Sequence, residues 1–205
     1  MKSFEGADNI IVVTITGTLS GSYNSAEIAK KIYLEEHPNA KIHVIDSLSA
    51  GGEVDLLVRK LNHLVAEGLE FDQVVDAITT CQSKTKLLFV LAKVDNLVKN
   101  GRLSKLVGTV VGLLNIRMVG EASKTGTLEL LQKARGQKKA IKAAFDELIK
   151  AGYTGGHITI AHRNNDKFIE QFSELVREKF SHASIEVLPT SGLCSFYAEE
   201  GGLLM

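Results

Sequence analysis

The run Thr16-Gly17-Thr18-Leu19-Ser20-Gly21-Ser22-Tyr23 packs hydroxyl side chains and glycines into one short stretch. It follows an apolar, strand-like run at residues 10–15 and precedes a helix-like run at 26–36. This is the composition an anion site asks for. The first amides of a helix have no partner within the helix, and the helix dipole puts partial positive charge beside them. Glycine lets a ligand come close to the backbone. Ser20, Gly21 and Ser22 are therefore the candidate ligand-binding residues, with the two serine hydroxyls as donors. The same residues also serve ordinary helix capping, and both readings stand. The spacing excludes two catalytic turns. No lysine follows Gly21 where a phosphate-binding loop requires one. Gly17 precedes Ser20 by three residues, not the two of a nucleophile elbow. No histidine neighbours Ser20 in sequence, so no catalytic residue is assigned; a hydrolase or transferase using Ser20 as nucleophile, and a structural or interaction module without ligand, are the alternatives to a binding protein.

The elements that position this turn read as a layered α/β first lobe. Residues 10–15 form a strand, and 23–37 a helix with Tyr23, Ala26, Ala29, Ile32 and Tyr33 on one face, stopped by Pro38. Residues 41–46 form a second strand. Gly51-Gly52 opens a helix with Val54, Leu57, Leu61, Leu64 and Val65 inward, ended by Gly68, and 71–82 form another. The order β-α-β-α is that of a parallel layer covered by helices.

Beyond residue 85 the pattern changes. Strand 86–92, a short helix at 94–99 and a helical run at 104–114 lead to two strands, 115–121 and 127–133, across the turn Lys124-Thr125-Gly126. Helix 138–151, strand 157–162, helix 166–180 and strand 184–188 follow, and 193–205 reads as partly extended. The fold class is α/β: a partial parallel α/β first lobe (1–83) and an α+β second lobe with a mixed sheet (84–205).

Five segments in order carry a resemblance. Leu19-Ser20-Gly21-Ser22-Tyr23-Asn24-Ser25-Ala26 is similar to the L-S-G-T-Y-x-S-A signature of the DegV family. Val44-Ile45-Asp46-Ser47 resembles that family's strand ending in Asp-Ser. Leu97-Val98-Lys99-Asn100-Gly101-Arg102-Leu103-Ser104 resembles its L-x-x-G-G-R-[IL]-S turn. Leu113-Leu114-Asn115-Ile116 and Lys133-Ala134-Arg135-Gly136-Gln137-Lys138-Lys139-Ala140 resemble the two segments that follow.

The resemblance implies a protein that binds a long-chain fatty acid and, in some members, carries the acyl group for a bacterial fatty acid kinase. It puts the carboxylate at Ser20. Arg102 takes the place of the arginine after the glycine turn. Tyr197 stands where the family has a histidine, supplying a hydroxyl without a histidine's charge. The family's further α/β stretch, with an Asp-Ser turn and a Thr-Ser-Gln-Pro loop, has no match here. The chain thus reads as lacking that N-terminal segment, with a sheet edge left to pair with a second copy.

A buried carboxylate needs several donors, and an acyl tail needs a dry slot. Leu106, Val107, Val110, Val111 and Leu114 are the acyl-channel candidates, because with Leu103 and Leu113 they cover nearly the whole circumference of one short helix. Such a helix is buried all round or faces a ligand on one side.

Composition bounds the rest. Lysine plus arginine and aspartate plus glutamate each number 24, so net charge is zero. That argues against nucleic acid or an anionic membrane as the partner. No apolar run reaches the roughly 18–20 residues of a spanning helix, and no secretory signal opens the chain, so stable membrane insertion is not expected and a cytoplasmic location is. Cys81 and Cys194 make neither a disulfide framework nor a zinc pattern. His157 and His162 fall on opposite faces of a strand. No metal or cofactor is expected. Arg135-Gly136-Gln137-Lys138-Lys139 reads as a solvated basic face or as a docking patch for an acidic partner such as a kinase subunit.

Overall fold

A computed structural model describes residues 6–103 and 115–205. The chain divides into two compact units: Met1–Thr85 with Lys124–Thr127, and Lys86–Ser123 with Leu128–Met205.

In the first unit β1 (Asn9–Thr14) and β2 (Lys41–Asp46) pair in parallel, from Asn9 opposite Lys41 to Thr14 opposite Asp46. The helix α1 (Ser22–Glu36) makes the crossover that parallel strands require. Alternation divides the strand side chains between two faces. Ile10 and Ile42 pack with Tyr33 of α1. Ile45, with Ile11 and Val13 against it, packs on Leu57, Leu61 and Leu64 of α2 (Gly52–Ala66) and on Val74 and Ile78 of α3 (Phe71–Gln82). Each fully buried side chain of this kind contributes about 1.5–3 kcal/mol. Two expectations fail here. On α1 only Tyr33 is buried, and Ile32 and Ile28 face solvent. On α2 Leu57, Leu61 and Leu64 turn inward as expected, but Val65 is 61% exposed. The cause is the narrow sheet: two strands cannot cover the full apolar width of the helices above and below them. An apolar cleft of about 510 Å³, lined by Ile11, Val13, Val58, Leu61, Val65 and Val74 among others, lies against β1. Among the described residues no strand pairs with the other edge of β1.

His43 of β2 adds a pH dependence to this unit. Burial, with Lys30 close by and Glu27 partly opposing it, holds its imidazole below the ordinary value. The unfolded chain then binds the proton more readily than the folded one. Stability is present above an ordinary imidazole pKa of about 6.5 and falls as pH drops below it. Thermal melts of the wild type between neutral pH and about pH 5 should show this loss. His43→Gln should flatten it, and an unchanged profile in the variant would assign the dependence elsewhere.

In the second unit the strands are β3 (Leu88–Leu91), β4 (Ile116–Ala122), β5 (Leu128–Arg135), β6 (His157–His162), β7 (Ser184–Pro189) and β8 (Leu203–Leu204). They form one mixed sheet in the order β5-β4-β3-β8-β6-β7. β6 and β7 are parallel; the other pairs are antiparallel. One face carries α5 (Gln137–Lys150) and α6 (Asp166–Lys179), whose Ala140, Ala144, Phe168, Phe172 and Val176 pack on Val90, Val119, Ile160 and Leu203. The opposite face carries α4 (Asp95–Lys99) and α7 (Gly192–Ala198), with Leu97 and Ala198 against Phe89, Leu91 and Met118. In the segment 193–205, expected to be partly extended, residues 193–198 belong to the helix α7 and Leu203–Leu204 are strand. That short strand is nonetheless central. Leu203 is fully buried, and Met205 and Leu88 exchange two backbone hydrogen bonds of 2.8 Å. Among the described residues no helix is long and apolar enough to cross a membrane.

Candidate functional site

The turn between β1 and α1 is fastened from below. Thr16 is buried, and its amide donates to the Ser49 carbonyl at 2.8 Å. Its own carbonyl accepts from the amides of Leu19 and Ser20 at 3.1 and 3.2 Å, which folds residues 16–20 into a tight turn. The Asp46 carboxylate, at the end of β2, accepts from the Gly17 amide at 3.1 and 3.2 Å and from the Leu48 amide at 3.0 Å. Asp46 is in turn tethered through its carbonyl to Gln82 Nε2 at 2.7 Å. Thr16 Oγ1 and Thr18 Oγ1 lie 3.0 Å apart, and Thr18 Oγ1 donates to the Gly126 carbonyl at 2.6 Å.

These contacts sort the candidate donors. The Gly17 amide is spent on Asp46, so that donor is not left for an incoming acid. Ser20 is half-buried, while Gly21 and Ser22 are exposed at the start of α1. The Ser22 amide donates to Ser20 Oγ at 3.2 Å, which fixes that oxygen. Its O–H proton remains for a further acceptor, and none of the described residues takes it. Gly21 is the N-cap, with no side-chain cap, and the first turn of α1 holds no acidic residue. The structure therefore brings Ser20, Gly21 and Ser22 together as an uncapped helix start with a positioned hydroxyl. Among the described residues no histidine hydrogen-bonds to Ser20.

The remaining sequence candidates belong to the second unit. Arg102 is exposed; its Nη1 donates to the Asn100 carbonyl and its amide to the Leu97 carbonyl at 2.8 Å. Tyr197, on α7, is half-buried against the Phe89, Leu91 and Met118 cluster and meets Phe196 edge-to-face at 5.0 Å. Its hydroxyl has no hydrogen-bond partner among the described residues. Leu106, Val107, Val110, Val111 and Leu114, the acyl-channel candidates, lie outside the described residues. His157 is exposed beside Ser184 and Thr159 at 3.2 and 3.1 Å, and His162 Nδ1 accepts from the Asn165 amide at 3.2 Å.

Sequence reasoning overlooked two groups that shape the turn. Asp46 was read only as part of a resembling strand end, and its carboxylate organises two loops. Gly126 closes on Thr16 and Thr18 from a hundred residues away, a pairing with no local signal.

A family model described as an uncharacterised protein of the DegV family matches residues 2–204. A DegV domain-containing protein of Streptococcus gordonii is 76% identical over 205 residues, which is all of this chain and 73% of that protein. The crystal structure of the Streptococcus pneumoniae fatty acid kinase B3 protein, loaded with linoleic acid, is 75% identical with a TM-score of 0.96 over 99% of this chain and 72% of that one. A DegV family protein from Eubacterium eligens loaded with heptadecanoic acid is 39% identical, with a TM-score of 0.94 over 99% of this chain and 74% of that one. The family model over nearly the whole chain and the identity to these relatives show that this chain belongs to the DegV family.

Proposed function

We propose that this chain binds a long-chain fatty acid by its carboxylate and presents it to a kinase subunit. The observation that carries the reading is the Ser20 hydroxyl, held by the Ser22 amide at an uncapped helix start. A charge-assisted hydrogen bond from such a donor suits a carboxylate. Homologous proteins of the same fold are loaded with linoleic and heptadecanoic acids, which supports an acyl ligand of that class. Arg102 and Tyr197 are the further ligand-binding residues in this reading, and Leu106, Val107, Val110, Val111 and Leu114 remain its acyl-channel candidates. A cytoplasmic location fits a protein that serves a kinase. The direct test is native mass spectrometry of the protein after expression in bacteria, followed by lipid extraction. One co-purified fatty acid per chain is expected, with a reduced load in Ser20→Ala. A bare chain, unable to take up added oleate, would reject the reading.

The kinase partner is placed at the basic cluster around α5. Lys138 and Lys139 are exposed in the first turn of that helix, where no acidic residue and no side-chain cap balances the dipole. Positive side chains at a positive helix end repel, so an acidic partner surface would gain from both. Charge reversal at Lys138 and Lys139 is expected to weaken partner binding about tenfold at low salt, with the loss shrinking as salt is raised. Binding that is unchanged by the reversal removes this surface from consideration.

Self-association through the β1 edge is the second partner proposal. Val58 and Val65 are exposed beside an edge of β1 that no strand among the described residues pairs with, a combination that favours strand pairing between chains. Light scattering should show a concentration-dependent dimer; a monomer at all concentrations would exclude it.

A further inference from the structure

Arg117 is the second residue of β4, opposite Ala134 of β5. It sits at the end of the sheet where β3 runs out at Leu91, and its guanidinium meets the turn that leads into β8. Both Nε and Nη1 are shut off from solvent, and neither has a hydrogen-bond partner among the described residues. A guanidinium carries donors only and stays charged in a folded protein, although burial pulls its pKa down from the ordinary value. Arg117 as a whole is only half-buried, but donors closed off from water without a partner still carry a desolvation cost.

The acids of the adjoining turn do not relieve it. Glu199 Oε1 accepts from the Asn96 amide at 2.9 Å. Glu200 Oε2 accepts from Asn164 Nδ2 at 3.2 Å and lies 3.6 Å from Arg163 Nε. Both carboxylates are turned to other donors. The backbone, in contrast, is shaped to the guanidinium. A Cβ at Gly201 would lie 3.3 Å from Arg117 Nη1, a tight contact, and Gly201 holds φ +80°, which favours glycine in this turn. Glu199 holds φ 54° and ψ −176°, a conformation that suits glycine and is strained for any other residue. Strain of this kind persists at ligand clamps.

We infer that Arg117 is the anchor of an oxyanion-binding site in the second unit, with Gly201 forming its wall. The ligand group is a carboxylate or a phosphate, the two anions whose oxygens match guanidinium donors. The site goes beyond the fatty-acid reading, because it requires only an oxyanion and stands whether or not Ser20 holds a lipid. Two sources fit: the acid group of an acyl chain, or a phosphoryl group.

The test is side-chain NMR of the full chain labelled with ¹⁵N-arginine. The Arg117 Nε–H signal is assigned by its loss in Arg117→Lys. Inorganic phosphate and decanoate are titrated separately, against chloride at matched ionic strength. A saturable shift of the Arg117 signal with either anion supports the site. A response to decanoate alone identifies a carboxylate ligand, and a response to phosphate alone a phosphoryl group. No saturable shift with either overturns the proposal. Arg117→Met gives a second readout. Its melting temperature without anion should equal or exceed that of the wild type, while affinity for the effective anion falls about tenfold or more. A variant that melts lower and binds the anion as before would make the guanidinium a structural group and defeat the site. If Arg117→Met does not fold, the wild-type titration decides alone. Failure of the fatty-acid reading shows up separately, as a protein that carries no lipid, and leaves the phosphate titration intact.

Discussion

Gly126→Ala is expected to loosen the Ser20 turn and reduce fatty-acid uptake at least tenfold. Gly126 has φ +77°, which costs an alanine about 1–2 kcal/mol. Space is the larger obstacle. A Cβ there would lie 2.1 Å from Thr16 Oγ1, 2.9 Å from Thr16 Cβ and 3.0 Å from Leu48 Cα. Thr16 is buried and cannot swing aside, and Leu48 is held through its amide by Asp46. Relief therefore requires the tip Lys124–Thr127 to lift. That breaks the 2.6 Å bond from Thr18 Oγ1 to the Gly126 carbonyl and frees the turn that places Ser20. Overpacking of this kind costs about 1–3 kcal/mol. Combined with the strain, the total is about 2–5 kcal/mol, largely felt in the first unit. Isothermal titration with oleate and a thermal melt measure the two effects. Removing the colliding oxygen in Thr16→Ala/Gly126→Ala should recover part of the loss. Oleate binding within about twofold of wild type in the single variant would show that the tip does not hold the turn.

What the sequence revealed, and what it hid, follows from the range of each interaction. The strands at 9–14, 41–46, 157–162 and 184–189 were readable because their apolar residues repeat locally. The Ser20 turn was readable because hydroxyls and glycines between a strand and a helix are a local pattern. Gly126 was seen only as a hairpin turn; its role depends on Thr16 and Thr18, to which nothing local connects it. Arg117 is a polar residue in a strand, and period-two alternation reads such a residue as solvated. The return of the chain at Gly201 narrows the space around Nη1, and Nε and Nη1 are closed off from solvent. Leu203–Leu204 is too short for any periodic signal, yet it fills the middle of the sheet. The exposure of Ile32 and Val65 is hidden from the sequence for the opposite reason. Helical periodicity identifies which side chains share a face, but not how wide the opposing surface is.

The largest loss of stability is expected at Gly120. It follows Val119 in β4, where the pairing with β5 shifts register, so that Val119 faces Gln132 and Gly120 faces Leu130. Such an irregularity brings the two backbones together at the shift. A Cβ at Gly120 would lie 2.2 Å from the Glu129 carbonyl oxygen and 2.3 Å from Cζ of Phe89. The carbonyl belongs to the ladder itself and cannot move without parting β4 from β5. Phe89 is 3% exposed and packed against Leu91, Leu97 and Met118, so its ring has no vacant space to enter. Gly120→Ala should destabilise the second unit by about 3–5 kcal/mol, in the range reserved for severe core defects. For a unit of this size the melting temperature falls by roughly 10–20 °C. Phe89→Leu in the same chain removes the ring collision but leaves the carbonyl collision, so it should restore less than half of the loss. Calorimetry of the single and double variants separates the two terms. A single variant melting within about 3 °C of wild type would mean that β4 and β5 part at low cost, and that the register shift is not the tight point of this sheet.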